Sequence, residues 1–200
     1  MMMASGESCD TAIVISANGV YMGSTLDAGA DFGFRDVNGC QGNSSTPPSS
    51  PDQVFQVTIP ANNRFTAELN TAGGSPTGTT WDSILNLIEA PATNCGTLAA
   101  DGGTEGLTCL AGSDVGNPER VSYFNSSANP IDAFIMVKGY FNNSLGSFTL
   151  TTTSAPPPPG DVCASAVPLT SGTPIVGEPL TGLGNDYGTG TGGCGSPNAG

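Results

Sequence analysis

The sequence predicts an all-β protein: an antiparallel, jelly-roll-like β-sandwich, stapled by disulfides and followed by an incomplete second copy of itself. Three observations predict it. Apolar and polar residues alternate over short runs, Gly, Asn, Ser and Pro fill the gaps between the runs, and widely spaced cysteines recur at a fixed interval.

The elements follow in order. Residues 11–16 and 19–26 are the first strand candidates. In 53–59, Phe55, Val57 and Ile59 face one side while Gln56 and Thr58 face the other. In 64–70, Phe65, Ala67 and Leu69 alternate with Arg64, Thr66, Glu68 and Asn70. Such period-two runs are half-buried strands. Trp81, Ile84, Leu85 and Ile88 fit helical spacing, yet Leu85 and Leu87 backed by Ile84 and Ile88 also fit a strand buried on both faces. The run is short and its surroundings are all β, so a strand is expected, with Trp81 in the core. Residues 120–124 and 133–140 follow, and in 147–151 Phe148 and Leu150 alternate with serine and threonines. Strands at this regular spacing suit a sandwich or jelly roll.

The chain repeats itself. GESCDTAIVIS starts at Gly6 and GDVCASAVPLT at Gly160, and at one offset of 154 residues Cys9 falls on Cys163, Ala12 on Ala166 and Cys40 on Cys194. With a shift of one, Asp31-Phe32-Gly33 falls on Asp186-Tyr187-Gly188. The period is that of a whole domain rather than a solenoid unit. The expected division is a tail at 1–5, a first repeat at 6–154, a stiff proline linker at 155–159 and the truncated start of a second repeat at 160–200. Because Cys9 and Cys40 recur together, the repeat pairs Cys9 with Cys40 and Cys163 with Cys194, leaving Cys95 for Cys109. MMMASGESC lacks an apolar export segment, so a processed chain or a piece of a longer one is expected.

Composition excludes several functions. Arg35, Arg64, Arg120 and Lys138 face seventeen acidic residues, for a net charge of −13, so no basic stripe exists for nucleic acid or for an anionic membrane surface. The chain has no histidine, which removes Ser-His-Asp and Cys-His catalysis and histidine metal sites. No cysteines form a C-x-x-C pair, so the zinc and redox spacings are missing and disulfides in an oxidising compartment are expected. No apolar stretch of about 18 residues marks a transmembrane segment.

PDQVFQVTIPANNRFTAELN, WDSILNLIEAP, NPERVSYFNSS and DAFIMVKGYFNNSLGSFTLTTT resemble the bacterial pre-peptidase C-terminal domain over residues 51–153. The matching positions are Asp52, Phe55, Pro60, Asp82, Leu85, Leu87, Glu119, Val121, Tyr123, Val137, Gly139, Tyr140, Gly146, Phe148 and Leu150. The opening from GESC to Cys40 resembles the openings of tandem repeats in large secreted proteins of myxobacteria-like bacteria. The resemblance implies a jelly-roll-like sandwich without catalysis, accompanying secreted peptidases or adhesin-like proteins; some members bind insoluble substrates and some bind calcium. Two features depart from that pattern: no catalytic domain precedes the module in this sequence, and the loop between Cys95 and Cys109 is additional.

Three kinds of site are open. Calcium takes six to eight oxygen ligands, and loop-borne Asp27, Asp31, Asp36, Asp52, Asp82, Asp114 and Asp186 have suitable groups, with Asp31, Asp36, Asp52, Asp82 and Asp186 the chosen set. The plainer role of Asp31 is to cap a turn through its own backbone. Sugar or protein binding points to Tyr140, Phe141 and Asn142 at a strand end. Carboxylate catalysis selects no pair, since Asp27, Glu68, Glu89 and Glu119 read as solvated positions. The N-x-S/T triplets at Asn43, Asn125 and Asn142 mark polar loops. The expected function is a non-catalytic extracellular module for binding, adhesion or spacing, its partner an extracellular polysaccharide or protein. Two alternatives stand: a filament subunit that joins neighbouring copies by strand donation from 160–200, and an accessory domain of a secreted peptidase or other hydrolase.

Overall fold

The structure, a computed structural model, describes residues 6–36, 38–42, 50–75, 81–98, 103–162, 166–168 and 170–172. Within these the strands are β1 (Ile13–Ile15), β2 (Gly19–Ser24), β3 (Asp52–Ile59), β4 (Arg64–Ser75), β5 (Ser83–Glu89), β6 (Thr97–Leu98), β7 (Thr104–Glu105), β8 (Ala111–Ser113), β9 (Glu119–Phe124), β10 (Ile131–Gly139) and β11 (Leu145–Ala155). Short 3-10 turns stand at Cys9–Thr11 and Ala92–Cys95. A five-stranded sheet in the order β1-β3-β10-β5-β8 faces a four-stranded sheet in the order β2-β11-β4-β9, with β6-β7 as a separate ribbon. The predicted sandwich is thus present. Its pairs are antiparallel except β1 with β3, which run parallel with Ile13 opposite Phe55.

The core lies where the alternation placed it. Phe55, Val57, Ile59, Phe65, Ala67, Leu69, Trp81, Leu85, Leu87, Val121, Phe148 and Leu150 fill the space between the sheets. The Trp81 indole N–H donates to the Ser147 carbonyl at 3.0 Å, so the buried ring keeps its polar atom satisfied. The ambiguous run is strand β5, with Leu85 and Leu87 turned into this core.

A second core explains why β5 and β10 are apolar on both faces. Val54, Ile84, Ile88, Phe134 and Met136 point to the other side of the five-stranded sheet, where Cys9, Phe32, Phe34, Cys40, Cys95 and Leu107 cover them. Long loops therefore form a third layer. Asn86, fully buried under this layer, ties it down: its side chain accepts the Gln41 N–H at 2.9 Å and donates to the Gln41 carbonyl at 3.0 Å.

The disulfides staple this layer, and they correct the expected pairing. Cys9 bonds Cys95, and Cys40 bonds Cys109. Neither Cys9–Cys40 nor Cys95–Cys109 forms. Cys9 and Cys95 sit on the two 3-10 turns, which meet on the outer face of the sheet, whereas Cys40 lies beside the loop segment leading to β8. The Cys109 N–H donates to the Asn38 carbonyl at 3.0 Å, which brings that second pair together. Recurrence at one offset did not identify the bonding partners, which packing decides. Cys163 and Cys194 lie outside the described residues.

Strand register gives the sandwich two ends. β10 finishes, and β3 and β5 begin, at one end, since Lys138 is opposite Asp52 and Gly139 opposite Ser83. β11 finishes, and β4 begins, at the other, with Ala155 opposite Arg64. The chain leaves the module from this second end. β11 runs through Ala155 and so takes up the first residue of the 155–159 segment.

Candidate functional site

At the first end the turn between β10 and β11 projects aromatic groups. Tyr140 and Phe141 meet edge to face, ring centres 4.7 Å apart. Tyr140 packs its ring on the outer core, while Phe141 remains 51% exposed and Asn142 is exposed beside it. The turn is held by backbone contacts: the Tyr140 N–H donates to the Asp82 carbonyl at 3.0 Å and the Ser144 N–H to the Phe141 carbonyl at 2.9 Å. Gly139 is required here, because a Cβ on it would stand 1.9 Å from the Ser144 carbonyl oxygen. The predicted ligand-binding residues therefore form one tip, of which Phe141 and Asn142 are the solvent-facing part.

Acidic residues flank this tip. Partial burial and the nearby Glu119 charge raise the Asp82 carboxyl. Burial, then Asp82, Glu119 and Asp36, push Asp114 up to about 6. Like charges crowd at this end, and the protein relieves them by favouring protonation. Glu119 is not the solvated residue the sequence suggested. It is fully buried, its carboxylate accepting the Ser113 hydroxyl at 2.5 Å, the Val115 N–H at 3.1 Å and the Gly116 N–H at 2.7 Å. It thereby closes the turn between β8 and β9, at a cost that three donors offset.

The five residues proposed for calcium separate. Asp36 stands in the loop layer, its carboxylate accepting the Gly42 N–H at 2.8 Å, within electrostatic reach of Asp114. Asp82 belongs to the tip. Asp31 lies near Asp52 instead. Asp186 lies outside the described residues. Among the described residues no three acidic or cysteine side chains come together in a group that could hold a metal ion.

Asp52 has a different role, which sequence reasoning missed. It lies opposite Lys138 across β3 and β10, both side chains fully buried beneath the loop layer. The Lys138 ammonium donates to Asp52 Oδ2 at 3.1 Å and also to the Ser50 carbonyl. The same carboxylate oxygen accepts the N–H groups of Asp31 at 2.9 Å and Phe32 at 3.0 Å, so it holds the start of the loop layer on the sheet. Burial pushes the Asp52 carboxyl up to about 6, against the pull of Lys138 and the Phe32 N–H. Burial likewise pulls the Lys138 ammonium down, against the attraction of Asp52. The signal was present in the sequence: the only lysine of the chain stands in an apolar strand, where a charge needs a partner. Asn125, one of the N-x-S/T positions, is also buried, its amide donating to the carbonyls of Ile59, Pro60 and Asn129.

No protein-family model matches the chain, and no curated protein does. Solved structures do resemble it, two of them as follows. One is the pre-peptidase C-terminal domain of a collagenase from Bacillus anthracis, with a TM-score of 0.39 and 15% identity over 71% of this chain and 94% of that one. The other is PliG of Aeromonas hydrophila, a periplasmic lysozyme inhibitor of g-type lysozyme, with a TM-score of 0.35 and 11% identity over 72% of this chain and 96% of that one. The first is a domain of the family that the sequence motifs resemble. Likenesses of this degree carry nothing about function, which rests on the residues described above.

Proposed function

We propose that the chain is a non-catalytic, extracellular β-sandwich module that binds a polysaccharide or protein through the tip at Tyr140, Phe141 and Asn142. One observation carries this reading: the exposed tip is at the end of the sandwich opposite the one from which the chain leaves. A module so built presents its tip away from the segment that follows β11. The buried charged pairs serve structure, since Lys138 is matched to Asp52 and Arg64 to Asp161. With no histidine in the chain, acid–base chemistry would fall largely to carboxylates, and Asp52, Asp161 and Glu119 are already engaged in ion pairs and a turn. Two disulfides in a loop-rich layer suit an oxidising compartment outside the cytosol.

The test is a sedimentation assay of the 200-residue chain with insoluble polysaccharides, intact cell walls and immobilised surface proteins, comparing wild type with Phe141→Ala. Removing an exposed aromatic leaves folding within about 1 kcal/mol of wild type. It should weaken capture roughly tenfold, the loss expected of an aromatic anchor. Capture that is unchanged by Phe141→Ala refutes the tip as the binding surface.

The filament reading has one observation in its favour. Among the described residues β2 is an edge strand of its sheet, and it exposes Val20 at 68% and Met22 at 83%. An unpaired apolar edge accepts a further strand. Concentration-dependent assembly that disappears when Met22 is replaced by Lys would place this reading first.

A further inference from the structure

We infer that the opening of the second repeat is a clasp that fixes the next module to this one, with Asp161 locked by Arg64 of the first module. The proline segment is therefore not a free spacer. After β11 the chain turns back: Gly160 takes a left-handed conformation at φ +82°, and the Asp161 N–H donates to the Pro158 carbonyl at 3.2 Å. Glycine suits that conformation because it has no Cβ. The turn sets the Asp161 carboxylate against the Arg64 guanidinium, with side-chain exposures of 0% and 12%. Arg64 opens β4, level with Ala155 on β11 and Phe124 on β9, so the contact is made at the end where the chain leaves. Val162 beside it is buried as well.

The repeat gives this contact its meaning. At the offset of 154 residues Gly160 falls on Gly6 and Asp161 on Glu7. Gly6 has the same left-handed conformation, at φ +89°. In the first module Glu7 serves its own fold, accepting the Gly29 N–H at 2.6 Å. In the second opening the acid at the same place is held instead by the preceding module. A group of this kind, when charged and nearly out of water, needs its counter-charge in place. The partner of the Arg64 surface is thus the segment of the same chain that opens the second repeat, and charge holds that segment at the end where β11 finishes. This holds whether or not the tip at Phe141 binds a ligand.

Hydrogen–deuterium exchange of the 200-residue chain tests it, read at the amides of Gly160, Asp161 and Val162, with the amides of β10 as an internal control for folding. Wild type should protect the three amides. Asp161→Asn leaves the sandwich untouched and should speed their exchange roughly tenfold, as opening of a local unit does. Arg64→Glu should do the same, and Arg64→Glu with Asp161→Arg should restore protection to within about threefold of wild type. Equal exchange in wild type and Asp161→Asn, or a charge-reversed pair as exposed as the single variants, overturns the clasp.

Discussion

Replacing Lys138 by Met tests the buried ion pair most directly. The substitution keeps the length and apolar stem of the side chain and removes the ammonium. Asp52 would then be a carboxylate with no exposure, retaining only the N–H groups of Asp31 and Phe32, while the Ser50 carbonyl loses a donor. Breaking a buried pair by removing one partner costs about 3–5 kcal/mol, because a charge remains without compensation. Against a typical total of roughly 5–15 kcal/mol, that is a large share of the stability. The loss depends on pH. Burial already holds the Asp52 carboxyl at about 6 with Lys138 present, and without the ammonium it rises further. Below that range the carboxyl takes up a proton and the penalty shrinks, so the variant should be hurt more at pH 8 than at pH 5. Lys138→Met with Asp52→Asn removes the charge altogether. The asparagine can accept one loop N–H and donate to the Ser50 carbonyl, so the double variant should recover to within about 1–2 kcal/mol of wild type. Urea unfolding followed by the fluorescence of the single tryptophan, Trp81, measures all three proteins. A single variant that loses less than about 1 kcal/mol at pH 8, or a double variant no better than the single, refutes the pair as the fastening of the loop layer.

Cys9→Ser should leave Cys95, not Cys40, open to alkylation, and peptide mapping reads the answer. With the two cysteines separated by 86 positions in sequence, losing that bridge costs about 4–5 kcal/mol in the chain-entropy model, measurable by urea unfolding. Asp52 and Asp114 both have carboxyls raised from 3.8 to about 6 in the folded chain. Between those values the folded state holds more protons than the unfolded one, so the stability they contribute is present below 3.8 and lost as pH rises through about 6. The urea midpoint of wild type should therefore fall between pH 4 and about 7. Asp114→Asn should flatten that fall and unfold later than wild type at neutral pH, where it relieves repulsion from Asp82, Glu119 and Asp36; a parallel pH profile for the two proteins contradicts the shift.

The sandwich was legible because its signal is local. Phe55, Val57 and Ile59 alternate whatever they pair with, and Leu85 and Leu87 backed by Ile84 and Ile88 disclose a strand covered on both sides before anything is known of the cover. What the cover consists of is not local. β1 runs parallel to β3, and nothing in the residues of 13–15 encodes that direction. The cysteines were misread for a related reason. Recurrence of Cys9 and Cys40 at one offset constrains module membership, but their bonds cross to Cys95 and Cys109 through a layer built from loops, which carry no periodicity. Lys138 lies between these cases. Burial on both faces of β10 could be read from Ala133 to Val137, and a lysine continuing that run has to meet an acid brought there by another strand. Asp52, heading the strand that pairs with β10 and already marked by the family motif, was an available partner. A buried ammonium makes a stronger demand on a carboxylate than an unassigned cation does. The same logic separates Glu119 from Asp82 and Asp114: the first is consumed by the turn it closes, and the other two stand at the tip, where burial and neighbouring like charge raise both carboxyls.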